Sequence, residues 1–171
     1  RDICSRLIYG SRTALVIAFT SSFVGSSIGT ILGIASAYFG GKLDDWIQRF
    51  VDILLAFPLI VLALVVVAAF RKFSVGGVDV NLIVAIAIPI IPRVARVVRA
   101  AALSVRVMPY VDAARAAGYS HTRIIFRHMA PNVTAPYLIM LTAFIAQAIL
   151  AEASLSFLGL GVTEPTAAWG L

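Results

Sequence analysis

The sequence predicts an all-α integral membrane protein, a polytopic helical bundle with four membrane spans. Hydrophobic residues make up 61% of its 171 positions, and the mean hydropathy is +0.99. Only 13% of the residues are charged, whereas about 25% are charged in a soluble domain. Four apolar stretches approach the ~20 residues that a helix needs to cross the hydrocarbon core. None of them shows the period-2 alternation of a membrane β-barrel strand.

The four predicted spans are separated by glycine, proline and charged residues. They are Thr13–Phe39, Ile47–Phe70, Val80–Val98 and Tyr137–Leu160. The third ends in Pro89, Pro92, Arg93 and Arg96. The opening residues 1–12 are predicted either as a short helix on the outer membrane face or as a simple connector.

Few charged residues fall inside the predicted spans. Arg49 and Asp52 lie near the start of the second span, where they are expected to form a local pair. Glu152 lies ~24 Å along the helix from Pro136, near the outer interface, and is expected to face a cavity or to snorkel outward. No ionisable residue lies near the middle of a span, which argues against a proton-coupled secondary carrier.

Basic residues set the predicted orientation. With four spans, the loop after the first span and the loop after the third lie on the same side. These two loops hold nine Lys and Arg, and the other side holds five. Because cytoplasmic loops carry the excess of basic residues, the region from Arg93 to Arg127 is placed in the cytoplasm. The charge is interpreted as topology, and no nucleic acid partner is expected.

A row of small residues marks the first span. Gly25, Gly29 and Gly33 recur every four residues, and Ser21 and Ala37 extend the row. Positions four apart lie on one face of a helix, and small residues there let a second helix approach closely in lipid. The row is predicted to be a helix-packing seam. Whether the seam is fixed or slides is left open.

Neither a catalytic centre nor a metal site is expected. His121 and His128 are seven residues apart and lack a third ligand nearby, so they are predicted to be solvated loop residues. Cys4 is the only cysteine. The sequence contains neither a phosphate-binding loop nor a nucleophile elbow. The chain is therefore predicted not to be an enzyme and to need no cofactor.

The polar segment at about 109–131 is predicted to form a helical hairpin. Pro109 suits the first turn of a helix, and Gly118 suits the left-handed residue that ends it. Ser120 is the expected N-cap of a second helix that runs through Met129 and stops at Pro131. One face of the first helix carries Tyr110, Ala113, Ala114 and Ala117. Such a face can fit a groove on a partner or pack on its own bundle.

This hairpin resembles the E-A-A motif of ABC-importer permeases. Asp112, Ala113 and Ala114 stand at the E-A-A positions, and Gly118 and Pro131 follow at the motif's spacing. Asp112 replaces Glu, His128 stands where Ile is usual, and Ala130 stands where Leu is usual. The ending His128-x-x-Pro131-Asn132 resembles the dipeptide/oligopeptide/nickel branch. The stretches RDICSRLIYGSR, AYFGGKLDD, VDILLAFP, ILAEASLSFLGLGV and PTAAWG extend the resemblance over essentially the whole chain.

The resemblance implies a single permease domain over residues 1–171, a fragment of a six-span subunit of a bacterial or archaeal cytoplasmic (inner) membrane. Expected partners are a homologous permease subunit, two cytoplasmic ABC ATPase subunits that hydrolyse the ATP, and an extracytoplasmic solute-binding protein. The ATPases would be coupled through Asp112, Ala113, Ala114, Gly118, His128 and Pro131. The expected cargo is di- or oligopeptides, with nickel as the alternative. A passive channel or membrane scaffold is the alternative from another class, and neither would need a coupling hairpin.

Overall fold

The computed structural model describes residues 3–69, 74–75 and 78–160, and nearly all of them are helical. In chain order the elements are α1 (Ile3–Phe39), α2 (Gly41–Leu55), α3 (Leu59–Ala69), β1 (Ser74–Val75), β2 (Val78–Asp79), α4 (Val80–Arg106), α5 (Pro109–Ala116), α6 (His121–Ile124), a π-helical turn (Ile125–Met129), a 3-10 turn (Ala130–Val133) and α7 (Thr134–Phe157). The two strands pair antiparallel, with Ser74 opposite Asp79. The all-α prediction is confirmed. Arg1, Asp2, Phe70 and the closing PTAAWG lie outside the described residues.

Helix α1 begins earlier than the predicted first span. It runs without a break from Ile3 to Phe39. The described part of the opening segment, from Ile3 to Arg12, is therefore neither a separate surface helix nor a connector. It forms the first turns of the membrane helix, and no glycine or proline pair interrupts it before Gly40.

Helix α4 continues past the predicted end of the third span. It ends at Arg106 rather than Val98, and Pro89 and Pro92 lie inside it. A proline in a helix interior removes one backbone hydrogen bond and costs about 3 kcal/mol. Both prolines are buried. In membrane proteins, packing against neighbouring helices lets a spanning helix tolerate such positions.

The predicted second span is not one continuous helix. Its residues form α2 and α3, whose axes differ by 95°. The break falls at Pro58, which disfavours helical geometry at Phe57 and cannot donate a backbone hydrogen bond. The carbonyl of Pro58 accepts from the N–H of Leu62 at 3.0 Å and opens α3. Three described helices are long and apolar enough to cross a membrane, and the count is four if the bent pair is one span.

The directions of α1 and α4 require one membrane crossing between them, in the segment that contains α2 and α3. Gly29 of α1 faces the carbonyl of Ile91, and Gly33 faces the carbonyl of Ala95, so α1 and α4 run in the same direction. A chain that crosses twice in one direction has to cross back in between. The helical path from α6 through α7 runs opposite to α1, because Tyr38 contacts His121 at the start of that path while Ser27 contacts Tyr137 further along it.

The chain divides into two compact units. The first comprises Arg1–Gly25, Phe57–Ile90 and Leu141–Leu171, and the second comprises Ser26–Ala56 and Ile91–Met140. Fully buried apolar side chains of the first unit include Ile17, Leu82, Ile86 and Leu155, and those of the second include Val51, Val94, Val98, Ile124 and Met129. The nine basic residues assigned to the cytoplasmic side by sequence all lie in the second unit.

Candidate functional site

The helical hairpin begins with α5 and turns at Gly118. Pro109 occupies the first turn of α5. Gly118 has φ +75°, the left-handed conformation predicted for it. The N–H of Gly118 donates to the carbonyl of Arg115 at 3.0 Å, and the N–H of Tyr119 donates to the carbonyl of Ala114 at 3.2 Å. These two bonds define a Schellman motif, which satisfies the last carbonyls of α5 and reverses the chain.

The second arm of the hairpin differs from the single helix that was predicted. Ser120 does cap α6, with its side chain accepting from the N–H of Arg123 at 3.4 Å. After Ile124 the backbone becomes a π-helical turn and then a 3-10 turn, and helical structure continues into α7. Pro131 therefore does not stop the path. It lies in the first turn of the 3-10 segment, where its missing N–H is tolerated.

The interior of the hairpin is apolar and includes a motif histidine. Val111, Ile124 and Met129 are almost completely buried. The His128 ring stacks on Tyr119, with centroids 6.0 Å apart and planes 21° apart, and lies 6.3 Å from the Tyr110 ring. The prediction of a solvated His128 is therefore wrong. This ring, on the π-helical turn, contacts both α5 and the turn after it.

The outer face of the hairpin carries the remaining motif residues. Asp112, Ala113, Gly118 and Pro131 are exposed, whereas Ala114 points into the hairpin interior. The Asp112 carboxylate lies 3.3 Å from the Arg115 guanidinium and remains 66% exposed. The structure thus divides the predicted coupling residues into an outer set available to a partner and an inner pair, Ala114 and His128, that holds the hairpin together.

The hairpin is anchored to the end of α1. The Tyr38 hydroxyl and His121 Nδ1 are 2.8 Å apart, and the Arg115 guanidinium lies 5.3 Å from the Tyr38 ring centre. Arg106 also donates to the carbonyl of Ala37 at 3.0 Å, in the last turn of α1. His121 had been predicted to be a solvated loop residue. It instead shares a hydrogen bond with the Tyr38 hydroxyl. No local sequence pattern indicates these contacts, because their partners are 69 to 83 positions apart.

The glycine row of α1 lies directly against the backbone of α4. A Cβ added at Gly25 would lie 2.8 Å from the carbonyl oxygen of Ala87. At Gly29 and Gly33 it would lie 2.7 Å from the carbonyl oxygens of Ile91 and Ala95. The contacted carbonyls are also four residues apart, so the two helices are in register along this line. Such spacing allows Cα–H to carbonyl contacts that only glycine permits.

A half-buried polar network joins three helices of the second unit. Arg99 of α4 donates to both carboxylate oxygens of Asp44, at 2.7 and 2.5 Å. Ser36 of α1 also donates to Asp44 and accepts from Gln48 at 3.0 Å. This network was not predicted, because Asp44 and Arg99 are 55 positions apart in the sequence.

The predicted Arg49–Asp52 pair is wrong as a prediction. Asp52 instead pairs with Arg96 of α4. An aspartate one turn from an arginine suggested a local pair, but the orientation of α2 brings Asp52 to α4.

Removing the Asp44 carboxylate is expected to lower thermal stability. Asp44→Ala leaves Arg99, which is only 29% exposed, without its bidentate partner, and lost bonds of this kind cost about 1–3 kcal/mol. The melting temperature of the purified complex should fall. The neighbouring Asp45→Ala is the matched control, since Asp45 is exposed. Equal melting temperatures for both variants would contradict the structural role of the network.

The first unit contains one buried acidic side chain among its described residues. Glu152 is 0% exposed. Its Oε1 accepts from the Ser156 hydroxyl at 2.9 Å. The sequence had suggested that Glu152 either faces a cavity or snorkels outward. It does neither, because its side chain is buried. Over the described ranges, no group of three His, Cys, Asp or Glu residues is arranged to hold a metal ion.

The known proteins that this chain resembles are described as transport system permeases. A Brucella suis protein described as a peptide transport system permease is 46% identical over 99% of this chain and 55% of its own length. The dipeptide transport system permease protein DppC of Alkalihalophilus pseudofirmus is 40% identical over 99% of this chain and 54% of its own. The chain thus spans about half the length of these curated relatives.

A solved structure shares the fold. The inward-facing MetNI methionine ABC transporter superposes with a TM-score of 0.76 at 23% identity, covering 91% of this chain and 76% of that one. The apolar helices and the match to an inner-membrane family make the chain a multi-pass inner-membrane protein. Residues 28–171 match the binding-protein-dependent transport system inner membrane component family, and the chain belongs to that family.

Proposed function

We propose that this chain forms part of the translocation pathway of an ATP-driven importer, as a permease subunit that carries no ATPase activity itself. The observation that carries the proposal is the packed hairpin, on which Asp112, Ala113, Gly118 and Pro131 are exposed. Two cytoplasmic ATPases, a homologous permease and an external binding protein would complete the transporter. Family membership supports this set of partners.

The contacts of the hairpin support a coupling role for it. A partner that moves the outer face would move α5, the turn and the π-helical turn together, because His128 stacks between them. The Tyr38–His121 bond would carry the movement to the end of α1. An element of this kind, with one docking face and one anchor in the bundle, is what coupling between two sites requires.

We assign Gly25, Gly29 and Gly33 to a helix-packing seam between α1 and α4. Their short distances to α4 carbonyls support this role. Because the seam joins the helix that ends beside the hairpin to the helix that leads into it, it would keep the two moving as one body. On this proposal the seam is a fixed contact during transport, not a sliding one.

Di- or oligopeptides are the proposed cargo, and nickel is the alternative. The names of the similar permeases favour peptides. The test is uptake by the full-length permease with its partner permease, ATPases and binding protein in proteoliposomes. Labelled short peptides should enter only with ATP. Entry of nickel alone would replace the cargo assignment, and ATP-independent entry would favour a channel over an importer.

A further inference from the structure

Helix α2 exposes its apolar side. The exposed fractions are 46% for Leu43, 74% for Trp46, 56% for Phe50 and 61% for Ile53. Their spacing of three, four and three residues puts them on one face of the helix. On a helix that covers a protein core, an apolar face of this kind would be the buried one. Something outside the described residues therefore covers it.

The opposite face of α2 is fixed to the protein. Asp44 is bonded to Arg99, Asp52 is paired with Arg96, and Val51 is completely buried. Two ion pairs hold this face against α4. The helix cannot roll to bury its tryptophan and phenylalanine without breaking both pairs.

Helix α2 crosses α4 rather than running beside it. Asp44 and Asp52 are eight residues, or ~12 Å, apart along α2, whereas Arg96 and Arg99 are three residues, or ~4.5 Å, apart along α4. Since α4 is a membrane span, a helix that crosses it runs close to the membrane plane.

The depth and charge of α2 fit the lipid headgroup region. Its ion pairs meet α4 at Arg96 and Arg99, where the apolar part of that span gives way to arginines. Lys42 and Arg49 are exposed and, being seven residues apart, flank the apolar face on the same side. Among the described residues neither cation has an ion-pair partner, and Asp45 is the only acid of α2 without one.

We propose that α2 lies in the cytoplasmic membrane interface, with Leu43, Trp46, Phe50 and Ile53 among the acyl chains and with Lys42 and Arg49 bound to phosphates of anionic lipids. An apolar face flanked by cations, with tryptophan at headgroup level, is the pattern of an interfacial helix. This surface goes beyond the proposed transport role, because it would anchor the network of Asp44 and Arg99 to the bilayer.

The depth of α2 is tested in the assembled transporter. Phe50→Cys is labelled with bimane on a background with Cys4→Ser and no other reactive cysteine, and reconstituted in phosphatidylcholine mixed with phosphatidylglycerol. Brominated lipids should quench this label, and aqueous iodide should not. Asp45→Cys is the control, at which iodide should quench. Quenching of position 50 by iodide, or by neither agent, would overturn the proposal, since the face would then be covered by water or by protein.

The anionic-lipid contact is tested with the same label. Brominated phosphatidylglycerol should quench position 50 more strongly than brominated phosphatidylcholine at equal content. Lys42→Glu and Arg49→Glu should each reduce that preference about fivefold. Arg12→Glu, an exposed charge in the first unit, should leave it unchanged. Equal quenching by the two lipids in the unmodified protein would overturn the assignment of phosphate binding.

Discussion

Replacing Gly118 with tryptophan is expected to reduce ATP-driven uptake to background while the subunit still inserts and assembles. An added Cβ at Gly118 meets no atom within 4 Å, so the large side chain projects from the outer face of the hairpin. There it would stand between the exposed Asp112 and Ala113 and any partner that docks on them. The measurement is peptide uptake in proteoliposomes, together with the yield of the intact transporter.

Backbone strain is the competing explanation for that result, and the chain offers a matched control. Gly118 has φ +75°, where any other residue costs about 1–2 kcal/mol. Gly159 has the same φ, equally open surroundings and the same pair of turn hydrogen bonds at the end of α7. Gly159→Trp should therefore suffer the same strain and keep its uptake. Similar losses in both variants, or normal uptake by Gly118→Trp, would contradict the coupling role.

Local signals in the sequence predicted the hairpin well. Glycine favours a left-handed turn, and Gly118 adopts one. Serine favours the N-cap position of a helix, and Ser120 occupies that position in α6. Pro131 was misjudged, because a proline in the first turn of a new helical segment does not end the helical path. The π-helical turn before it was not predicted, because no local sequence pattern marks such a turn.

Composition predicted the membrane spans, but not where they bend. Pro58 lies in the predicted second span and breaks it, whereas Pro89 and Pro92 lie within α4 and do not. Whether a proline breaks a membrane helix or is accommodated within it depends on how the surrounding helices pack. A single sequence does not show which helices pack there. The ion pairs of α2 with α4 were missed for the same reason: Asp44 and Arg99 are 55 positions apart.

Replacing Gly29 with leucine is expected to prevent stable assembly of the transporter. Even the first added carbon would lie 2.7 Å from the carbonyl oxygen of Ile91 and 2.8 Å from the Val94 Cβ. Overpacking of a well-packed interior costs about 1–3 kcal/mol, and a clash with backbone cannot be relieved by a side-chain rotation. The yield of monodisperse complex and its melting temperature should fall sharply, and Gly29→Ala should show a smaller loss of the same sign.

The control for this substitution is Ala146→Leu, which places the same side chain at an exposed position of α7. Because Ala146 is exposed, assembly and uptake should be retained. If Gly29→Leu behaved like this control, the seam would be loose enough to separate by the width of a side chain, and α1 and α4 could slide past each other during transport. A sharp loss only at Gly29 would instead mean that the hairpin, α1 and α4 move as one body.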